Sequence, residues 1–268
     1  MENWQEIGIS TAAYYLDALL MKPGYSVLKS LASLQSYCGW SGAIVLNASF
    51  VAANSEGIYI FRSLYDGSRI SISQNELFSL IIDLQPDLVI LPPGFNAYLS
   101  EQHLSFPPTI TAYRPAYEIA DTEKGGIFLA YEKTESFIDF FRQFQQYKAR
   151  PIYLSGALNL MQAYELIEHG AQWLESDKPA SDALLALVYG ETNNFSLLDS
   201  DMANQHQPII AHCECPTCSQ KLTRAYLHHL FLQTPLLCQR FLIQHNAHFY
   251  KNQIESMLKE KRAREDIN

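Results

Sequence analysis

The chain has 268 residues, 48% hydrophobic and 18% charged, with a formal net charge of −9. That allows one large domain, or a medium and a small one, and is too apolar for disorder. The negative balance excludes a protein whose whole surface grips nucleic acid, although Lys251, Lys259, Lys261, Arg262 and Arg264 form a local basic group near the end.

Residues 7–22 are apolar with few breakers and read as a short strand and a turn before Pro23-Gly24. Residues 25–37 carry Val27, Leu28, Leu31 and Leu34 at helical spacing, which predicts one helix with a buried face. A buried strand follows at 43–46. Residues 58–62 and 69–73 alternate around Asp66-Gly67, a hairpin signal. Ser73 with Glu76 three positions on is a capping box, opening a helix to about Leu84. The apolar run 87–91 is a strand ended by Pro92-Pro93-Gly94, and Asp87 at its start reads as structural.

Residues 95–124 show no clear period and are left irregular. Beyond them come a strand at 126–131, a helix at 134–147, a strand at 152–154, a helix at 159–168 ended by Gly170, and a strand at 172–175. This strand–helix rhythm predicts parallel βα units in an α/β sheet or barrel. Residues 186–189 and 195–198 suggest a small hairpin. Thr234-Pro235 reads as the cap and first residue of a long helix.

The chemistry concentrates in Cys213-Glu214-Cys215-Pro216-Thr217-Cys218. Three of five cysteines within six residues do not form a disulfide framework. Cys213, Cys215 and Cys218 with a helical histidine, His245, make a tetrahedral donor set for Zn2+. His248, one turn further along, is the rival fourth ligand. Thiolate ligands imply a reducing compartment. The N-terminus lacks the basic start and apolar run of a signal peptide, and no window approaches the ~18 apolar residues of a membrane span. A soluble, cytoplasmic protein with no membrane partner is expected.

The cysteine knot, the stretch TRAYLHHL from Thr223 to Leu230, and His245-Asn246 together resemble the zinc subdomain of the tRNA-guanine transglycosylase (queuine tRNA-ribosyltransferase) family. The family pattern favours His245 as the fourth ligand. Weaker resemblances lie in Lys22-Pro23-Gly24 with Gly39-Trp40, Phe61-Arg62-Ser63 with Asp66-Gly67-Ser68, and Tyr153-Leu154 with Gly156. The resemblance implies a TIM-like (β/α) barrel over 1–199 and a C-terminal helical zinc-binding subdomain over 200–268. It implies a place in queuosine-type tRNA modification, tRNA as a partner, and a homodimer or a heterodimer with a catalytic transglycosylase.

Departures from the family pattern bear on catalysis. Leu46-Asn47-Ala48-Ser49 stands where the family carries an acid–base Asp, and an amide exchanges no proton near neutral pH. Pro92-Pro93-Gly94 stands where it carries a base-reading Asp, and Leu174-Glu175-Ser176 where it carries the nucleophilic Asp. Glu is one methylene longer, a displacement of roughly 1 Å that can cost about a hundredfold. The resemblance therefore implies a shortened, reduced barrel, with losses before Met1 and within 95–124, nearest in kind to the family's non-catalytic paralogues. No catalytic residue is assigned. The alternatives are an active base-exchange enzyme using Glu175 as nucleophile and a zinc-stabilised protein-interaction domain.

Overall fold

Residues 43–47 alternate between two environments, and that alternation organises the molecule. Ile44 and Leu46 pack outward against helices, while Val45 joins a separate inner cluster with Leu88, Ile90, Tyr113, Phe128 and Tyr153. A strand buried on both faces reads as a continuous apolar run, as parallel barrel strands do. The computed structural model describes residues 2–118, 125–132 and 134–265.

The strands are β1 Thr11–Tyr15, β2 Ala43–Asn47, β3 Ile58–Arg62, β4 Arg69–Ser73, β5 Leu88–Ile90, β6 Thr111–Pro115, β7 Gly126–Tyr131, β8 Ile152–Gly156, β9 Trp173–Glu175, β10 Leu187–Val188 and β11 Phe195–Ser196. Seven of them form one parallel sheet in the order β1-β2-β5-β6-β7-β8-β9. The sheet curls into a nearly closed barrel. No backbone ladder joins β9 to β1 among the described residues; Tyr15 of β1 reaches Glu175 of β9 through its hydroxyl instead. The expected α/β class and reduced barrel are therefore found. The antiparallel hairpins β3–β4 and β10–β11 lie outside the barrel sheet.

The helices are α1 Glu2–Glu6, α2 Leu16–Leu19, α3 Tyr25–Lys29, α4 Leu34–Cys38, α5 Gln74–Leu84, α6 Phe95–Glu101, α7 Phe137–Tyr147, α8 Leu160–Glu168, α9 Lys178–Leu184, α10 Pro216–Ser219, α11 Arg224–Gln233 and α12 Pro235–Glu265. The capping box at Ser73 and Glu76 is present, and Asn159 with Gln162 makes a second one at α8. Among the described residues no helix is long and apolar enough to cross a membrane.

Two local expectations are corrected. Residues 25–37 form two short helices, not one. The Ser30 hydroxyl donates to Val27 O, and Ser33 caps α4 by accepting from Ser36 N, so side-chain hydrogen bonds interrupt the helical period. Residues 95–124 contain α6 and the barrel strand β6, while residues 119–124 lie outside the described ones. The strand was hidden because Arg114 and Pro115 are both buried in it, which erases any polar–apolar alternation. Pro235 is the first residue of α12 as expected, and Thr234 before it accepts from Leu237 N and Cys238 N through its carbonyl, while its hydroxyl donates to Leu230 O of α11.

The C-terminal helices have their own core, in which Leu227, Cys238 and Leu242 meet Ala183, Val188 and Leu197. Tyr250 of α12 is buried and donates to Leu158 O before α8, which ties the long helix to the barrel.

Candidate functional site

Two places hold the residues singled out by the sequence. The first is the cysteine knot. Pro216 opens the short helix α10, whose N-cap, Cys215, accepts from Cys218 N through its sulfur. That turn brings Cys215 and Cys218 to one side. Cys213 joins from the preceding turn and His245 from α12. One ligand atom from each of the four lies within 4.8 Å of the others. His245 Nδ1 stands 3.8, 3.5 and 3.4 Å from the sulfurs of Cys213, Cys215 and Cys218.

A tetrahedral zinc with ordinary Zn–S and Zn–N bonds sets sulfur and nitrogen about 3.6 Å apart, so the spacing fits such an ion. His245 Nε2 donates to Tyr189 O at 2.7 Å. That bond fixes the tautomer and turns the Nδ1 lone pair toward the sulfurs, as metal-binding imidazoles require. His245, Cys215 and Cys218 are buried. Hydrogen bonds from Cys215 and then Cys218 hold the Cys213 thiol below its ordinary range, toward the thiolate that a metal needs. The four residues could hold a metal ion. His248 is outside the group, and its Nε2 accepts from Asn252 at 2.8 Å.

Asn246, next to His245, is fully buried. Its Oδ1 accepts from Tyr189 N, and its Nδ2 donates to Leu187 O and Pro179 O. The His–Asn pair thus clamps both backbone polar groups of Tyr189 with neighbouring side chains. Elsewhere on α11 and α12, Tyr226 and His229 are exposed, Tyr250 is buried and Phe249 packs beside it. In the basic group Lys251 pairs with Glu255 and Lys261 with Glu168, while Lys259 and Arg262 are exposed. The Arg264 side chain falls outside the described residues.

The second place is the barrel mouth, at the C-terminal ends of the strands, where TIM-barrel sites sit. A cleft of about 590 Å³ there brings together Asn47, Ser49, Glu175 and Asp177. Glu175 accepts from Tyr15 Oη and from Tyr153 Oη, both at 2.8 Å and each on a different carboxylate oxygen. Asn47 is 1% exposed, and its Oδ1 accepts from the backbone and the hydroxyl of Ser49. The Pro92-Pro93-Gly94 turn is tied to Glu118, whose carboxylate accepts from Gly94 N at 2.7 Å. Asp87 accepts from Ile44 N, a structural role as expected. Sequence reasoning missed Tyr15 and Tyr153, since no local signal links residues 160 and 22 positions from Glu175.

Burial first, and then the Glu175 charge, push both phenols above their ordinary pKa of 10.0. Because the folded values are raised, this contribution to stability is complete below the unfolded tyrosine value and is lost as pH rises through the folded one. Stability should therefore hold up to about pH 10 and fall above it. In Glu175→Gln the charge is gone, so phenolate absorbance should appear at lower pH. An unchanged phenol titration would show that the carboxylate does not hold these hydroxyls.

Comparison with known proteins bears on both places at once. A queuine tRNA-ribosyltransferase from Clostridium botulinum (strain Hall) is 31% identical over 108 residues, covering 40% of this chain and 28% of that protein. One from Clostridium kluyveri is 32% identical over 103 residues, covering 38% of this chain and 27% of its own length. The matched stretch is thus under a third of these relatives. The sequence profile described as queuine tRNA-ribosyltransferase matches residues 117–264. That span is more than half of the chain and takes in Glu175, the three clustered cysteines and His245, so the chain belongs to the queuine tRNA-ribosyltransferase family.

Proposed function

We propose that this chain is a non-catalytic, tRNA-guanine transglycosylase-like protein of queuosine-type tRNA modification. Residues 1–199 act as the barrel unit and 200–268 as a zinc-binding unit. Cys213, Cys215, Cys218 and His245 would hold Zn2+, which when bound cross-links the knot to the long helix and has no open position for chemistry. This end serves as a tRNA-binding subunit or as the partner of a catalytic transglycosylase, in a homodimer or heterodimer. The exposed Tyr226 and His229 are available to a protein partner, and the exposed Lys259 and Arg262 to phosphates. Thiolate ligands suit the reducing cytoplasm.

The observation that carries this reading is the state of Glu175. Both of its oxygens already accept phenol hydrogen bonds, which hold the carboxylate against the barrel wall. The places of the family's other two carboxylates hold Asn47 and Pro92-Pro93-Gly94. The test is to incubate purified protein with tRNA and labelled guanine, and separately to pull down a full-length transglycosylase. No incorporation is expected, together with copurification of the partner. Incorporation that disappears in Glu175→Gln would overturn this reading in favour of an active enzyme with Glu175 as nucleophile. A chain that binds neither tRNA nor a transglycosylase would point to a zinc-stabilised interaction domain.

A further inference from the structure

The barrel sheet ends in two edges that face each other. Its order begins at β1 and finishes at β9, and no ladder joins the two among the described residues. They stand further apart than paired neighbours do. These edges are also more exposed than the middle of the sheet. Every residue of β9 and four of the five in β1 are half-buried, whereas all of β5 and the last four residues of β2 are buried.

The alternation of a parallel ladder shows which backbone groups face the seam. Ala43 N donates to Ser10 O, so Ser10, Ala12 and Tyr14 turn toward β2, and Thr11 and Ala13 turn away from it. Ile127 N donates to Pro151 O, which turns Leu154 toward β9 and leaves Leu174 of β9 facing away. The N–H and C=O groups of Thr11, Ala13 and Leu174 therefore point into the seam from both sides. Open edges of this kind are templates for a further strand. Eight parallel strands close a barrel whose interior side chains fill, and this sheet has seven.

A cavity of about 520 Å³ runs through the seam, between Thr11 and Ala13 on one side and Trp173 and Leu174 on the other. Ala13 and Trp173 belong to the cluster inside the barrel, and Leu174 to the cluster beneath α12, where Ile254 and Leu258 line the cavity. Successive side chains of an inserted strand would thus meet the barrel interior and the apolar face of α12 in turn. The two ends differ in charge. Ahead of β1, Lys251 lies over Gly8 and is paired with Glu255. At the other end the carboxylates of Glu175, Asp177 and Asp17 all act on the Tyr15 hydroxyl. A strand parallel to its neighbours ends there, where a cation is favoured. Every described strand of this chain is already held in a ladder, so a second copy has no free strand to give.

We propose that the seam between β1 and β9 is a docking site for an extended segment of a different protein. The segment enters as an eighth strand parallel to both edges, with apolar side chains toward α12 and a lysine or arginine at its C-terminal end beside Glu175. This surface is separate from Tyr226, His229, Lys259 and Arg262, and the inference does not depend on the role in tRNA modification.

Fluorescence anisotropy on the full chain tests this with an end-blocked, labelled peptide, Thr-Ile-Val-Ile-Lys, whose isoleucines would face α12. It should bind with a Kd below about 1 mM. N-methylation of its valine and isoleucines, which removes the ladder donors, should weaken it at least about tenfold. Glutamate in place of its lysine should do the same. Amide exchange at Thr11, Ala13 and Leu174 should slow by about tenfold or more in the complex, a sign of strand pairing that adsorption to an apolar groove would not give. Leu258→Gln, at a half-buried position on α12, should weaken the peptide about fivefold. The inference is overturned if the wild-type chain does not bind the peptide, or if the N-methylated form binds as tightly. It is equally overturned if the bound peptide leaves exchange at Thr11 and Ala13 unchanged. These three outcomes are read on the unaltered protein, so they decide the matter even if the Leu258 variant does not fold.

Discussion

Cys218→Ser should strip the protein of its metal and lower its thermal midpoint by roughly 10 °C. The reasoning starts from the donor set. Three sulfurs and one imidazole nitrogen converge with the spacing of a tetrahedral ion. Structural zinc contributes about 10–16 kcal/mol of apparent binding energy in small zinc-dependent folds. Here the ion would join α10 to α12 across a core that the two helices share with the end of the barrel. A serine hydroxyl is a poor replacement for a thiolate, and Cys218 is too buried for water to stand in easily. Metal content per chain and thermal unfolding should fall together. A wild-type protein that carries no metal, and whose unfolding a chelator does not shift, would refute the metal assignment.

Asn246→Leu should cost about 2–6 kcal/mol of folding stability and weaken metal binding roughly tenfold. Leucine has the same branching and number of heavy atoms as asparagine, so no cavity is left and the loss is one of polar partners. The amide satisfies Tyr189 N at 3.0 Å, Leu187 O at 2.9 Å and Pro179 O at 3.2 Å, all in a fully buried setting. Removing it strands the Tyr189 N–H and the Leu187 carbonyl, while Pro179 O keeps its partner within α9, and each buried orphan costs about 1–3 kcal/mol. The same Tyr189 carries the carbonyl that orients His245. A loosened Tyr189 backbone therefore tilts the imidazole away from the sulfurs. Denaturant unfolding and competitive metal titration would measure the two effects. A stable variant with undiminished metal affinity would show that the clamp on Tyr189 is dispensable.

Short-range signals were legible in the chain itself. The Cys213–Cys215–Cys218 spacing lies within six residues, and the fold brings these three together with His245. The pair Asp66-Gly67 marked the β3–β4 hairpin, and Ser73 with Glu76 marked the start of α5. Each of these depends on backbone geometry over a few residues, which local composition encodes directly. The βα rhythm pointed to parallel strands because a crossover helix is the short way to join them.

Only the tertiary structure decided how the barrel closes and what its mouth contains. Tyr15 and Glu175 are 160 residues apart and meet because six parallel pairings set the curvature and register that bring β1 to β9. That register is a property of all seven strands together, and no window of sequence carries it. The same limit hid β6, whose buried Arg114 breaks the alternation, and the roles of Asn246 and Asn47. By itself, the sequence determined the three-cysteine cluster and the α/β plan, because spacing and periodicity are local. The surroundings of Glu175 and Asn47 depended on the fold, because buried polar groups take their partners from whatever distant strands the packing sets beside them.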